Sequence, residues 1–219
     1  MTLICLEGAS GIGKTTTCKR IAELYNAYVI PEVNFLFQRP NPEPENWYLE
    51  RQVERWQLAQ EKLKSYDVVL FDGDIFQPIW YNWIYEGEFP QTLPFLKEFY
   101  VSQMKRKQIG FPGVYIHLST SKTELRKRKE NDTTQRRSNF EKHLRLIEPQ
   151  KQYFQYMNTV SPNVVHFVDA VSIEENTKNI FDILSRLNLE KQHNYSVSLL
   201  ENVMDWVMSS NPKAYEISE

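Results

Sequence analysis

Apolar residues along the chain form short continuous runs that alternate with longer segments of mixed apolar and polar character. Runs of this length are typical of strands that are buried on both faces, and the intervening segments are long enough for helices. Alternating strands and helices predict a parallel sheet with helices packed on both sides, hence an α/β fold. The predicted strands are Leu3–Leu6, Ala27–Ile30, Val68–Phe71, Val114–Leu118 and Val164–Val168.

The segments between and after these strands carry amphipathic patterns in which apolar residues recur every three or four positions. Asn46 is an expected N-cap, and Pro149 is expected to kink or interrupt the helix that contains it. Three prolines predict a loop over Asn34–Glu45, residues 188–194 form a polar linker, and we expect the last ten residues to fray. The predicted helices are Thr15–Tyr25, Asn46–Lys64, Phe95–Gln108, Phe140–Met157, Ser172–Leu187 and Tyr195–Met208.

A glycine-rich motif separates the first predicted strand from the first predicted helix. Residues 8–15 satisfy the pattern G-x-x-x-x-G-K-[ST], in which backbone N–H groups turn inward around phosphate oxygens at a helix N-terminus. Lys14 would reach the β- and γ-phosphates, and the Thr15 hydroxyl would ligate Mg²⁺. The alternative, an accidental glycine-rich turn, is disfavoured by the flanking strand and helix. We predict a P-loop NTPase fold that binds ATP and Mg²⁺. The predicted nucleotide-binding residues are Gly8, Ser10, Gly11, Ile12, Gly13, Lys14, Thr15 and Thr16.

Carboxylates follow two of the predicted strands. Asp72 and Asp74 follow the third strand, and Glu32 follows the second. Ligands of open α/β sheets bind at the carboxyl ends of strands, so Asp72 would lie beside the phosphate loop if its strand neighbours the first. We predict that Asp72 holds Mg²⁺ together with Thr15, and that Glu32 orients or deprotonates an acceptor hydroxyl. Asp74 either shares these tasks or belongs to a turn before the next helix, and Glu32 has the alternative of a solvated loop carboxylate.

The segment Ser121–Arg145 is strongly charged, and its basic residues outnumber its acidic ones. Its polar centre, Asn131–Gln135, predicts a mobile loop. A basic, mobile loop after the fourth strand suits a lid, near residues 126–139, that excludes water and places guanidinium groups on the transferred phosphate. The alternatives are a solvated helix face and, with less support, a nucleic-acid patch. The arginines predicted to be catalytic are Arg128, Arg136 and Arg137.

Aromatic residues cluster after the second and third predicted strands. They could form a stacking slot for a planar substrate, or they could belong to the core, and the pattern leaves both interpretations open. These residues are Phe35, Phe37, Trp47, Tyr48, Trp80, Tyr81, Trp83, Tyr85 and Phe89.

The composition excludes some classes of partner. The chain has 219 residues and a formal net charge of −2, so no overall field attracts it to nucleic acid or to a membrane. It has no apolar run long enough to span a bilayer, and it starts without a basic leader segment. Cys5 and Cys18 lie in a predicted strand and helix, where packing is the expected role. We expect a cytoplasmic protein whose partner is a small-molecule acceptor, with homodimer formation left open.

Together these motifs resemble the thymidylate kinase and deoxyribonucleoside kinase group of P-loop enzymes, over residues 2–188. Val29–Val33 is similar to the family segment whose glutamate acts near the acceptor hydroxyl, and Val168–Ala170 is similar to its last-strand turn near the adenine. The family usually has an arginine after the acidic residue of the third strand, and this chain has Gly73 there. The other similar segments are Trp47–Leu63, Val68–Asp72, and Tyr115–Leu118 with Leu125, Arg126 and Arg128.

The resemblance implies a P-loop kinase domain over residues 1–188, and residues 189–219 would add a C-terminal helical extension. The expected activity is ATP- and Mg²⁺-dependent transfer of the γ-phosphate to a small acceptor, which we expect to be nucleoside- or nucleotide-like. A kinase of a non-nucleoside, such as an antibiotic, is the alternative within the same class. A nucleotide-binding regulatory ATPase is the alternative from another class.

Overall fold

The computed structural model describes residues 1–131, 140–187 and 195–215 and contains a parallel five-stranded sheet with the order β2-β3-β1-β4-β5. The predicted α/β fold is confirmed, and the predicted strands lie within two residues of the observed ones. In the part of the chain described, no helix is both long and apolar enough to cross a bilayer. The strands are β1 Thr2–Gly8, β2 Ala27–Ile30, β3 Val68–Asp72, β4 Val114–Ser119 and β5 Val165–Asp169.

The register of the central strands brings distant parts of the chain to one edge of the sheet. Strand β1 pairs with β3 so that Leu6 lies opposite Asp72, and it pairs with β4 so that Gly8 lies opposite Leu118. Because β2 pairs with the other side of β3, the carboxyl ends of β2, β3 and β1 are adjacent. The segments that follow these strands therefore meet above the sheet, as expected for an open α/β fold.

Helices cover both faces of the sheet. Alternate residues of the strands point to opposite faces, so Cys5 and Phe71 pack in one core cluster and Leu6 and Leu70 pack in another. The first cluster contains residues of α3, α4, α5, α8 and α10, and the second contains residues of α1, α6, α7 and α9. The helices are α1 Lys14–Leu24, α2 Val33–Leu36, α3 Trp47–Lys62, α4 Gln77–Ile84, α5 Leu93–Lys105, α6 Lys122–Asn131, α7 Phe140–Leu144, α8 Ile147–Val160, α9 Ile173–Arg186 and α10 Val197–Ser209.

The predicted helix Phe140–Met157 is two helices, α7 and α8, and the interruption precedes Pro149. Pro149 occupies the first turn of α8, where its missing N–H would have no intrahelical partner in any case. Three observed helices were not among those predicted. Helix α2 begins just after Glu32, so the predicted loop over Asn34–Glu45 is wrong for its first three residues, and α4 carries the aromatic residues after Asp74. Helix α6 opens the charged segment Ser121–Arg145, where a helix face was the alternative to a lid. Asn46 stands at the N-cap position of α3, but its side chain makes no capping hydrogen bond.

Helix α10 packs against α5 and α8, and its apolar face belongs to the larger core cluster. A 3-10 turn at Pro212–Tyr215 follows it, so the prediction of fraying over the last ten residues is wrong for residues 210–215. The ring of Tyr215 packs against Trp83 and Trp206, and the indole N–H of Trp83 donates to the carbonyl of Ser210. Aromatic contacts thus hold this end of the chain, and residues 216–219 lie outside the described part.

Candidate active site

The phosphate loop closely approaches β4, and glycine is required at its first position. The backbone of Gly8 has φ of 139°, and a Cβ atom there would lie 2.4 Å from the carbonyl oxygen of Leu118. Gly13 stands at the N-cap of α1 with φ of 106°, in the left-handed region that favours glycine. The backbone of the loop therefore requires glycine at its first position and favours glycine at the residue that precedes α1.

The Lys14 side chain folds back into the loop. Its Nζ donates a 2.7 Å hydrogen bond to the carbonyl of Gly8. Burial disfavours the charged form of the lysine, but nearby carboxylates outweigh burial and raise its pKa above the ordinary value. These carboxylates belong to Glu7, Glu32 and Asp72. The loop thus holds a protonated lysine near acidic groups that lie at or just beyond the carboxyl ends of three strands.

Thr15 and Asp72 are directly connected. The Thr15 hydroxyl donates a 2.7 Å hydrogen bond to Asp72 Oδ2, while Oδ1 of the same carboxylate is buried and has no hydrogen-bond partner among the residues that the structure describes. Magnesium in kinase sites uses hard oxygen ligands, and commonly only one or two protein groups plus phosphates and water. The hydroxyl, together with a carboxylate oxygen that lacks a partner, fits that ligand set. The structure therefore brings together the two residues predicted to hold the metal.

The remaining predicted nucleotide-binding residues differ in exposure. Ile12 has a buried side chain that packs in the core, so its contribution to a nucleotide would come from its backbone. Ser10 and Gly11 are partly exposed, and Thr16 is exposed on the first turn of α1. These positions are consistent with a loop that binds phosphate through main-chain groups.

Glu7, the last side chain before the loop, was missed by the sequence analysis. Its carboxylate is 2% exposed and accepts hydrogen bonds from the backbone N–H of Gly8, at 2.8 Å, and of Asp74, at 2.7 Å. Burial raises the pKa of this carboxyl above its ordinary value. Glu7 therefore connects the start of the phosphate loop to the segment after β3. A charged residue ending an otherwise apolar strand was the only signal for it in the sequence.

Asp74 belongs to a turn, as one of its two interpretations proposed. Its carboxylate accepts hydrogen bonds from the N–H of Phe76, the indole N–H of Trp80 and the hydroxyl of Tyr115. Burial, together with the charge of Glu7, raises the pKa of Asp74 to about 7 although these three bonds favour the ionised form. The oxygens of Asp74 are thus engaged with protein donors rather than directed to the phosphate loop.

Glu32 lies over Gly73, across the ends of the neighbouring strands β2 and β3. A Cβ atom on Gly73 would lie 3.4 Å from both Cγ and Oε1 of Glu32, and the Gly73 backbone has φ of 81°. The Glu32 side chain therefore packs directly over the Gly73 backbone, at ordinary contact distance. Among residues 1–131, 140–187 and 195–215, none forms a hydrogen bond or ion pair with that carboxylate, and the residue is partly exposed.

A buried arginine reaches Gly73 from helix α3. Arg55 is 1% exposed, and its Nη2 donates to the carbonyls of Asp72, at 2.9 Å, and of Gly73, at 3.0 Å. Its Nη1 donates to Gln52 Oε1 at 2.7 Å, and the guanidinium lies over the ring of Phe71. The sequence analysis missed Arg55 and Gln52, because polar residues of an amphipathic helix are usually solvated. The sequence signal was that Gln52 and Arg55, three positions apart, share one face of α3 with the apolar Ala59, which indicates that this face is buried.

Some of the clustered aromatic residues belong to the core, and others are partly exposed and remain candidates for a stacking slot. Trp80, Trp83 and Tyr85 are buried in the core. Tyr48 and Tyr81 are partly exposed, and the Tyr48 hydroxyl donates to Gln77 at 2.7 Å. Burial raises the pKa of Tyr48 to about 12 and raises that of Tyr81 further, with contributions from the charge of Glu32 in both cases. The remaining aromatic residues are Trp47, which is buried, and Phe35, Phe37 and Phe89, which are at least partly exposed.

Of the predicted lid arginines, the structure describes Arg128, and Arg136 and Arg137 lie outside the described residues. Arg128 on α6 donates from Nη1 to the carbonyl of Ile12 at 3.2 Å and from Nη2 to the carbonyl of Ala170 at 2.7 Å. Its Nε donates to Glu124. This arginine therefore joins the phosphate loop to the turn after β5, the turn that the resemblance places near the adenine.

Solved structures similar to the chain include two kinases. A deoxyadenosine kinase from M. mycoides, with dCMP and dCDP bound, has a TM-score of 0.52 at 18% identity, and the match covers 84% of this chain and 98% of that one. Thymidylate kinase from Candida albicans has a TM-score of 0.56 at 14% identity, covering 87% and 93%. A search of curated proteins finds no match. The family described as AAA domain matches residues 3–148, more than half of the chain. The protein therefore belongs to the AAA domain family and has the P-loop kinase fold that the sequence motifs indicated.

Proposed function

We propose that the protein is a phosphotransferase that uses ATP and Mg²⁺ to phosphorylate a hydroxyl group of a small, nucleoside- or nucleotide-like acceptor. One observation carries the proposal: the phosphate loop, the Thr15–Asp72 pair and Glu32 meet at the carboxyl ends of three adjacent strands. An unpaired carboxylate beside the phosphate site is suited to orienting or deprotonating the hydroxyl of an acceptor. The kinase fold of the similar structures supports the same conclusion.

The nucleotide side of the site would be formed by the loop and α1. The backbone N–H groups of residues 8–16 and the positive end of α1 would hold the phosphates. Lys14, which now donates to the Gly8 carbonyl, would instead donate to the β- and γ-phosphates. The carboxylates that keep this lysine protonated also ensure that it carries a positive charge when the phosphates arrive.

Thr15 and Asp72 would hold the Mg²⁺ ion that accompanies ATP. Bound there, the ion would neutralise part of the charge on the β- and γ-phosphate oxygens. The buried Oδ1 of Asp72 is the protein atom left available for this purpose. Arg55 fixes the same strand end from below, because it binds the main-chain carbonyl of Asp72 and leaves the carboxylate itself uncovered.

Glu32 would accept or orient the proton of the acceptor hydroxyl. A positioned carboxylate of this kind typically contributes about 10²- to 10⁴-fold to the rate. Glu32 follows β2, the strand next to that of Asp72, so that acceptor and phosphate would approach one another across the ends of β2, β3 and β1. In-line transfer requires such an arrangement of nucleophile and phosphate.

Arg128, Arg136 and Arg137 would close over the phosphates and stabilise the transferred group. The hydrogen bonds of Arg128 to the carbonyls of Ile12 and Ala170 join α6 to the phosphate loop, and this supports a role of the segment beside the phosphates. The remaining parts of the proposal are a kinase domain over residues 1–188 with a C-terminal helical extension, a small-molecule partner and a cytoplasmic location. The two free, buried thiols of Cys5 and Cys18 support that location.

The test is ADP release by the full-length protein with and without a panel of nucleosides, nucleotides and antibiotics. We expect ADP release that depends on an acceptor and produces a phosphorylated product detectable by mass spectrometry. Stimulation by an antibiotic alone would favour the non-nucleoside kinase. Turnover that no acceptor changes, but that a protein partner changes, would replace the proposal with a regulatory ATPase.

A further inference from the structure

Glu7 lies near the end of β1, buried between the phosphate loop and the segment that follows β3. Each oxygen of its carboxylate accepts a hydrogen bond from one main-chain N–H, Oε1 from Gly8 at 2.8 Å and Oε2 from Asp74 at 2.7 Å. Hydrogen bonds to an ionised acceptor are stronger than those between neutral groups. The side chain therefore joins the first residue of the loop to a residue two positions after Asp72.

The two N–H groups lie where β1 and β3 separate. The N–H of Gly73 still donates to the main-chain carbonyl of Leu6, at 3.0 Å. Beyond Leu6 the chain enters the phosphate loop at Gly8, and the N–H of Asp74 donates to the Glu7 side chain instead. Glu7 thus extends the connection between the two segments past the hydrogen bond of Gly73 to Leu6.

Glu7 is also the carboxylate that lies beside the ammonium group of Lys14. The Lys14 Nζ is 3.9 Å from Glu7 Oε1 and donates its 2.7 Å hydrogen bond to the carbonyl of Gly8. Burial disfavours the charged lysine, and among the carboxylates that raise its pKa against burial Glu7 contributes most. A negative charge and a carbonyl at the end of β1 therefore hold the Lys14 ammonium within the loop.

We propose that Glu7 is a positioning residue for phosphoryl transfer, whose carboxylate fixes the phosphate loop relative to the end of β3 and holds Lys14 in the loop until the phosphates of ATP bind the lysine. The inference rests on the proposed phosphotransferase function and adds a residue that acts through others. Thr15 follows the loop and Asp72 ends β3, so the alignment that Glu7 maintains is also the alignment of their hydroxyl and carboxylate. A displacement of about 1 Å in such an arrangement can lower the rate by about 10²-fold.

Glu7→Gln tests both parts of this role. The glutamine amide nitrogen is a donor, so it would face one of the two N–H groups without accepting from it, and the side chain carries no charge beside Lys14. With the acceptor that best stimulates ADP release, we expect kcat to fall about 10- to 100-fold. The dissociation constant of ATP, titrated in EDTA with the full-length protein, should stay level or fall, because no carboxylate at position 7 then competes with the phosphates for Lys14.

Glu7→Asp is the second variant. It keeps the negative charge, but its side chain is one methylene shorter and cannot reach both N–H groups. We expect kcat to fall as in Glu7→Gln, whereas the dissociation constant of ATP should stay at the parent value. Parent-like kcat in Glu7→Asp would overturn the alignment role.

The control removes a comparable hydrogen bond at the opposite edge of the sheet. Asn158 Oδ1 accepts the main-chain N–H of Val165 at 3.1 Å, at the amino end of β5. Asn158→Ala should lower the stability in urea unfolding and leave kcat and ATP binding unchanged. An equal loss of kcat in Asn158→Ala would assign the effect of Glu7→Gln to stability and overturn the inference.

Two further results with Glu7→Gln would overturn it. One is parent-like kcat, and the other is a higher dissociation constant of ATP, which would indicate a disordered loop rather than a misaligned one. Absence of acceptor-dependent turnover in the parent would instead remove the proposed function. The ATP titration needs no acceptor, so it would still decide whether Glu7 acts on Lys14.

Discussion

The hydroxyl of Thr15 donates a 2.7 Å hydrogen bond to the carboxylate of Asp72, although 57 positions separate the two residues. Pairing of β1 with β3 creates this contact, because it places Leu6 opposite Asp72 and so aligns the end of β3 with the start of the phosphate loop. The side chains of Arg55 and Glu7 then stabilise the ends of β3 and β1 by hydrogen bonds to the main chain, at the carbonyl of Asp72 and the N–H of Gly8. The site is thus built around backbone positions that the sheet fixes.

Removing the Lys14 side chain should abolish nucleotide use without unfolding the protein. Lys14→Ala loses the charge directed at the phosphates, and loss of such a group typically costs about 10²- to 10³-fold in turnover. Lys19→Ala, an exposed lysine on the same helix, is the matched control and should behave like the parent. Fluorescent nucleotide binding and ADP release measure both effects, and near-normal phosphorylation by folded Lys14→Ala would contradict the proposal.

Glu32→Gln should lower turnover by about 10²- to 10⁴-fold while ATP affinity stays close to that of the parent, since the carboxylate serves the acceptor hydroxyl. The control is Glu23→Gln, which removes an exposed carboxylate of α1. Steady-state kinetics and a separate ATP titration distinguish the two parameters. Unchanged turnover would show that Glu32 has no role at the acceptor hydroxyl and is a solvated loop carboxylate.

Gly73→Ala should lower turnover because strain at this position would shift the backbone on which Glu32 packs. The alanine would carry a backbone strain on the order of 1–2 kcal/mol at φ of 81°, and its Cβ would lie 3.4 Å from Glu32 Oε1. Gly87→Ala is a matched control, because Gly87 has φ of 79° and a Cβ there would meet no atom within 4 Å. Urea unfolding should show similar destabilisation of the two variants, and kinetics should show a large loss only for Gly73→Ala. An equal loss of turnover in both would point to strain alone.

Asp74 should make the protein less stable as the pH rises. Its pKa is about 7 in the folded protein, against 3.8 for a free aspartate, so the folded state binds more protons between these values. The contribution of Asp74 to the free energy of unfolding is largest below about pH 4. It decreases by an amount on the order of 4 kcal/mol as the pH rises to about 7. Asp74→Asn should flatten this dependence in urea titrations at several pH values. The same slope in the variant would assign it to another group.

Arg136 and Arg137 carry a prediction that comes from the sequence. Replacing both by alanine should reduce turnover strongly, because the lid would lose charge at the transferred phosphate. The control pair is Lys105→Ala with Arg106→Ala, exposed residues at the end of α5. Hydrogen exchange over residues 129–138, with and without nucleotide and acceptor, is the second measurement. Parent-like turnover together with unchanged exchange would identify the segment as an ordinary charged surface.

The fold and the nucleotide half of the site were readable from the sequence because both depend on local patterns. Apolar runs of strand length and amphipathic segments report burial directly, and the phosphate loop needs its glycines, Lys14 and Thr15 at fixed spacing whatever surrounds them. Asp72 and Glu32 could be placed in the same way, since strand ends in a parallel sheet face one edge. The helices α2 and α4 were missed because they are short and follow no clear periodic pattern. Helix α6 was missed because Leu125 is the one apolar residue in its sequence.

The environment of each side chain, by contrast, depends on which segments pack together. Nothing local distinguishes Arg55 from a solvated helix residue, yet α3 buries it against the end of β3. The sequence is compatible with Asp74 as a ligand or as a turn residue. The fold decides for the turn, because Trp80 of α4 and Tyr115 of β4 donate hydrogen bonds to its carboxylate. Patterns along the chain report which residues leave water, but hydrogen-bond partners and charge environments arise from contacts between segments far apart in sequence, and those contacts exist only in the folded protein.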